Sequence, residues 1–257
     1  MNAIAISAPR FSIARCYALE AKHEFLRLLR APSFAVPTLL FPPMFYFLFA
    51  VLFANRGGDF NAGIYLLATY GVFGVMAPGL FGFGVSVALD RERGWLTLKR
   101  ALPMPPGAYL ASKLAMAMLF AATIFAVLAL MATTVGGVTL PTTAWVRLFF
   151  VEIFGVLPFC AIGLCIGAMI SGSAAPAVIN LIYLPMSFLS GLWMPLTILP
   201  GVVREIAPLW PAFHLGQLAL GAVGQPTSGM ALVHVAALAG FTVLFLALAR
   251  RALIRNA

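Results

Sequence analysis

Three lysines, three histidines, three cysteines and seven acidic residues are the main reactive side chains of this 257-residue chain. None of the lysines (Lys22, Lys99, Lys113) follows a glycine, so the chain has no Walker-type phosphate loop and no route to nucleotide hydrolysis through one. Leu189-Ser190-Gly191 superficially resembles part of an ATPase signature, but it sits in an apolar run suited to helix packing or bending. His23 falls on the polar arc of an N-terminal helix, and His214 and His234 stand twenty positions apart in mainly apolar sequence. Cys160 and Cys165 are five apart, which does not stack them on one helical face, and Cys16 is remote. No Gly-x-Ser-x-Gly appears. The expectation is a chain with no catalytic, cofactor or metal site of its own.

Composition explains the scarcity. Charged residues number 23, where an average soluble chain of this length carries roughly 64. Hydrophobic residues make up 63%, and mean hydropathy is +1.03. That leaves too little polar surface to cover a soluble domain. The formal charge of +9 clusters beside apolar segments, which suits anionic lipid headgroups rather than nucleic acid. The first long apolar run begins only after Arg30, behind a mixed-charge stretch too long for the n-region of a signal peptide. An all-α integral membrane protein is expected.

About 20 apolar residues are needed per membrane crossing. Uncharged runs predict six spans, at 33–54, 62–88, 108–134, 146–169, 175–197 and 229–249, the fourth and fifth separated at Ser171-Gly172-Ser173 and Pro176. Residues 1–30 and 90–113 each carry net +3, and Arg250, Arg251 and Arg255 follow the last span. The alternate connections are nearly neutral. The positive-inside rule then places both termini and the 90–113 loop in the cytoplasm, which an even number of spans satisfies.

Over 11–30, Ala14, Tyr17, Ala18, Ala21, Phe25, Leu28 and Leu29 share one helical arc, opposite Ser12, Glu20, His23, Glu24, Arg27 and Arg30. Such a helix lies in the membrane interface or packs on the protein's own cytoplasmic face. Residues 199–223 are hydrophobic but broken by Pro200, Pro208 and Pro211, with Arg204 and Glu205 between them, and read as short re-entrant outer helices. Gly163, Gly167 and Ser171 recur every four positions, a spacing that allows close helix approach. Phe45 and Phe49, in an aromatic run with Phe41 and Tyr46, either line a path for a lipophilic molecule or serve packing. Asn180 and Tyr183 face a path or make an interhelical hydrogen bond. Glu152, near Arg147, is either a rim charge or a substrate contact.

The one distinctive hydrophilic block is Asp90-Arg91-Glu92-Arg93-Gly94-Trp95, running on through Leu98 to Leu102-Pro103. Trp95, Leu98 and Leu102 form a short helical stripe flanked by both charge signs. It reads as an ordinary positive-inside loop or as a ridge for a socket on a soluble partner.

These features together resemble the membrane subunits of ABC-2 type transporters, similar to daunorubicin-resistance and nodulation-type exporter permeases. The resemblance covers almost the whole chain. It lies in the amphipathic N-terminal helix, the Asp90–Gly94 block leading into Leu102-Pro103, and the run Phe188-Leu189-Ser190-Gly191-Leu192-Trp193-Met194-Pro195-Leu196. Leu199-Pro200 and Ala207-Pro208-Leu209-Trp210-Pro211 follow in family order. Relatives commonly have glutamate at the place of Asp90 and threonine at that of Trp95, so the partner surface differs at Trp95. The resemblance implies that 90–103 is a coupling helix, with Asp90, Arg91, Glu92, Arg93, Gly94, Trp95, Leu98 and Leu102 serving a separate ATPase. It implies two permeases, expected as a homodimer, and two ATPases, with MgATP bound on the partner and no cofactor on this chain. It places the complex in a bacterial inner membrane and implies export of a drug-like or lipid-like amphiphile, or else of a glycan or glycolipid. A self-contained secondary transporter and a membrane scaffold are the readings outside this class.

Overall fold

The computed structural model describes residues 12–53, 62–101, 105 and 107–255. Among them the chain is helical throughout, without strands. Its elements are α1 (Ile13–Leu29), α2 (Pro32–Phe53), α3 (Ala62–Glu92), α4 (Trp95–Ala101), α5 (Ala108–Thr134), α6 (Thr142–Met169), α7 (Ala175–Leu189), α8 (Gly201–Ile206), α9 (Pro211–Ala222) and α10 (Ala231–Arg255). Five of these are long and apolar enough to cross a membrane: α2 (as Pro32–Ala50), α3, α5, α6 and α10.

The expected fifth span, 175–197, is shorter as a helix. α7 stops at Leu189, and 15 residues reach only about 22 Å, less than a hydrocarbon layer of about 30 Å. Gly191 turns the chain with φ of +75°, a conformation that costs other residues steric strain. Two tyrosines of α3 then hold the non-helical stretch: Tyr65 donates to the Gly191 carbonyl at 2.6 Å and Tyr70 to that of Trp193 at 3.4 Å. These bonds supply two of the carbonyls that leave the helix with a partner.

α3 is the central element. Its apolar window is 83% buried, whereas that of α10 is 6% buried. Every residue from Tyr65 to Ala77 is in the core. At Pro78 the winding widens to a π-helix that runs to Val85, because proline has no N–H to continue the regular ladder. This stretch brings Gly79 and Gly84 against Gly163 and Gly167 of α6 at backbone contact. The four-residue glycine spacing does permit close approach, but Ser171 lies beyond the end of α6 and takes no part.

The seam leaves no space for a side chain. A β-carbon at Gly163 would stand 2.5 Å from the Gly79 carbonyl oxygen, and one at Gly167 2.4 Å from that of Gly84. Gly163→Val is expected to destabilise the bundle by roughly 1–3 kcal/mol or more, the cost of overpacking a filled core. A lowered unfolding temperature of the detergent-solubilised chain checks this, with exposed Gly240→Ala as the neutral control.

Candidate functional site

α1 is capped by Ser12, whose hydroxyl accepts from the Arg15 amide at 3.4 Å. It packs on α5 and α2, with Phe25 tilted against Phe120 and Phe34 edge-on to the same ring. One edge of the polar arc turns inward: Glu20, Glu24 and Arg27 all bond to other elements, whereas Ser12, His23 and Arg30 are exposed. On the apolar arc Phe25 and Leu28 pack inward, and Ala14, Ala18 and Leu29 are exposed.

A buried ionic cluster is the reason. Lys113, in the second turn of α5, has no solvent exposure. An ammonium has three donors. Here they meet the Glu24 carboxylate of α1, Ser86 Oγ of α3 at 2.8 Å and Asp90 Oδ2 of α3 at 3.0 Å. Arg27 bonds to Glu24 at 2.7 Å and to Asp90 Oδ1 at 3.2 Å, and Tyr109 donates to Asp90 Oδ2 at 2.9 Å. Two acids face two bases, so the cluster is neutral, and three helices meet in it. Lys99 of α4 joins the same region through Glu20 at 2.9 Å and lies over the Tyr109 ring at 5.2 Å.

The residues expected to face a partner divide accordingly. Asp90 is only 3% exposed and belongs to the cluster. Arg91 reaches across to α6, where its guanidinium bonds to the carbonyls of Ala168 and Ile170, the latter at 2.8 Å. A cation at carbonyls left open by a helix end is favourable. Gly94, at φ of +71°, ends α3 and lets α4 start at once, the Leu98 amide bonding to the Gly94 carbonyl. Beyond that turn Trp95 is 42% and Leu98 61% exposed, with Glu92 and Arg93 exposed beside them and Arg93 over the Trp95 ring at 5.9 Å. Leu102 lies outside the described residues.

Phe45, Phe49 and Tyr183, from the expected path set, do come together. Phe45 stacks on Tyr70 and Trp193, Phe49 stacks on Tyr70, and Tyr183 stacks on Phe73 at 4.9 Å. Tyr183 spends its hydroxyl on an interhelical bond to the Phe73 carbonyl at 3.1 Å. Asn180, one turn away, points out of the bundle. Glu152 is not at a rim. It is fully buried against Gly71 of α3, where a β-carbon would fall 1.8 Å from its Oε1, and both its oxygens lack a hydrogen-bond partner.

Sequence reasoning missed Glu24 as a buried anchor and missed Ser86, Tyr109 and Lys113 altogether. The charge count of 90–113 includes Lys113 without giving it a partner, yet a lysine in the second turn of a spanning helix is itself a signal for one. A cavity of about 580 Å³ at the opposite end of the bundle also went unforeseen. Tyr65, Thr69, Ser190, Arg204 and Gln217 are among its lining residues.

A helical bundle with five helices long and apolar enough to cross a membrane is the architecture of a multi-pass membrane protein. The sequence pattern of the ABC-2 type transporter family matches residues 17–224, and the chain belongs to that family. It is similar to the protein named "Putative transport permease YvfS" of Bacillus subtilis (strain 168), 27% identical over 224 residues that cover 86% of this chain and 91% of that one. Family membership makes the chain a transport subunit rather than an enzyme, of a kind that typically works with an ATPase.

Removing the ammonium of Lys113 leaves two carboxylates facing one guanidinium. Lys113→Met is expected to cost about 3–5 kcal/mol, as for other buried pairs broken on one side. Adding Asp90→Asn restores neutrality and should recover a large part of the loss. Unfolding temperatures of the three chains in one detergent check both statements.

Proposed function

We propose that this chain is the membrane half of an ATP-driven exporter and that α4 is the surface through which a separate ATPase moves it. The observation that carries the reading is the division of labour in the 90–103 block. Asp90 and Arg91 are bound internally, whereas Trp95 and Leu98, on the next helix, are left exposed. An exposed aromatic beside an aliphatic side chain, ringed by charge, suits the core of a protein interface. Force applied to α4 has a stiff route inward. α3 continues from the block into the centre of the bundle, and the Lys113 cluster ties it to α1 and α5.

In this reading MgATP is bound by two copies of the partner, and two copies of this chain, as a homodimer, enclose the route. The charge bias supports a bacterial inner membrane with both termini and α4 in the cytoplasm. α7, extended by 190–195, completes a sixth crossing, and α8 and α9 form the re-entrant outer segment. Phe45, Phe49 and Tyr183, grouped in one aromatic cluster, favour a drug-like or lipid-like amphiphile moving outward along that side. Glu152, buried against Gly71, and Asn180, exposed, are assigned no contact in it. A glycan or glycolipid is the second reading, favoured by the polar groups of the outer cavity.

Trp95→Ala is expected to reduce copurifying ATPase by about tenfold or more, in keeping with hot-spot costs of about 2 kcal/mol, without lowering the unfolding temperature of the permease alone. Arg91 substitutions should instead lower that temperature, because Arg91 caps α6. In a chain whose native cysteines are replaced, Thr97→Cys should react with a membrane-impermeant maleimide in inverted vesicles and not in intact cells. Labelling in intact cells, or ATPase capture unaffected by Trp95→Ala, would overturn the assignment of α4.

A further inference from the structure

His214 of α9 and His234 at the start of α10 lie ring to ring, both buried. Their Nδ1 atoms are 2.9 Å apart. The other nitrogen of each ring faces a backbone carbonyl: His214 Nε2 is 2.9 Å from the Pro208 oxygen, and His234 Nε2 is 2.5 Å from the Ser228 oxygen. A carbonyl oxygen can only accept, so each Nε2 must carry a hydrogen. A bond between the two Nδ1 atoms requires one hydrogen more. Two neutral imidazoles hold two N–H groups, and these three contacts need three.

The geometry points to a buried binding site for one proton, shared between His214 Nδ1 and His234 Nδ1, that latches the 207–209 corner and the 225–230 loop to α9 and α10. Uptake forms one N–H bond and leaves one positive charge on the pair; nothing else is made or broken. When the proton leaves, two hydrogens remain for three contacts. Either the rings face each other lone pair to lone pair at 2.9 Å, or one Nε2 turns a lone pair toward its carbonyl. One contact must open.

The surroundings set when this happens. The rings of Phe213 and Phe241 flank the pair. Of the charged or titratable side chains on neighbouring elements, Arg204 lines the outer cavity, Tyr65 of α3 is directed to the Gly191 carbonyl and Glu152 of α6 faces Gly71. No carboxylate is bonded to either ring among the described residues. Burial lowers the affinity of His214 for a proton below that of an ordinary imidazole; the Pro208 carbonyl opposes this and the neighbouring His234 adds to it. The three-contact arrangement is the acid form, because it alone holds the third hydrogen. Pro208 and Ser228 both line the 580 Å³ cavity, and the Ser228 amide is also held by Gln217 Oε1 at 2.6 Å. Proton occupancy thus acts on the cavity wall. This inference stands on the ring contacts alone and is independent of the exporter reading.

With only three histidines in the chain, nitrogen-15 labelling of histidine gives a spectrum that can be assigned by His23→Asn. The native chain in lipid nanodiscs would be followed from pH 5 to pH 8.5. At the acid end we expect nitrogen–nitrogen coupling between the two Nδ1 atoms and three bound hydrogens over the two rings, with one hydrogen lost on raising the pH. Amide exchange in 225–230, corrected for its intrinsic pH dependence, should rise about tenfold over the same range, as for a lost hydrogen bond to a charged group. In His234→Asn that rise should vanish. Two uncoupled neutral rings at every pH would overturn the proposal, and so would an exchange rise that persists in His234→Asn.

Discussion

An ammonium with no access to water must be given a partner for each of its hydrogens, and Lys113 meets that demand with groups from two other helices. Left alone, a buried charge costs several kcal/mol even after relaxation. The cluster therefore has a required geometry: Glu24, Ser86 and Asp90 must converge on one point. Because they sit on α1 and α3, the position of the surface helix and the end of the central helix are specified together. Hydrophobic contact alone would allow α1 to slide on its neighbours. Directional bonds to a point charge do not.

The consequence for function runs through α3. This helix carries the glycine seam with α6, the tyrosines that hold 190–195 and, at its end, the carboxylate of the ionic cluster. Its π-helical stretch gives those contacts a backbone that approaches α6 without intervening side chains. Displacement at α4 would therefore be felt as movement of a packed unit, not as deformation of a loop. Arg91 strengthens this by bridging the end of α3 to the carbonyl end of α6.

Much of the helix inventory was legible from hydropathy and punctuation. The third predicted span coincides with α5, and the others follow α2, α3, α6 and α10 to within several residues. The exception is 175–197, where Gly191 and two tyrosine donors from a distant helix end α7 early. Residues of the site were legible as a block, but their roles were not. A helical-wheel reading of α1 places Glu24 with the solvated charges, because periodicity separates polar from apolar residues without saying which of the polar ones meet protein. Glu152 illustrates the same limit: its closeness to Arg147 in sequence suggests a rim, whereas the fold sets it opposite Gly71.

By itself, the order of residues determined that the chain is a membrane protein, that its basic residues gather in alternate connections, and that it carries no Walker-type phosphate-loop motif. These follow from composition and from properties counted along a line, which folding does not change. Only the tertiary structure decided which charges are buried, what Asp90 and Arg91 hold, and that two histidines twenty residues apart share a contact. Glu24 and Lys113 are 89 positions apart and Arg27 and Asp90 are 63 apart. Pairing at such separations depends on how helices pack, and local sequence pattern contains no measure of that distance.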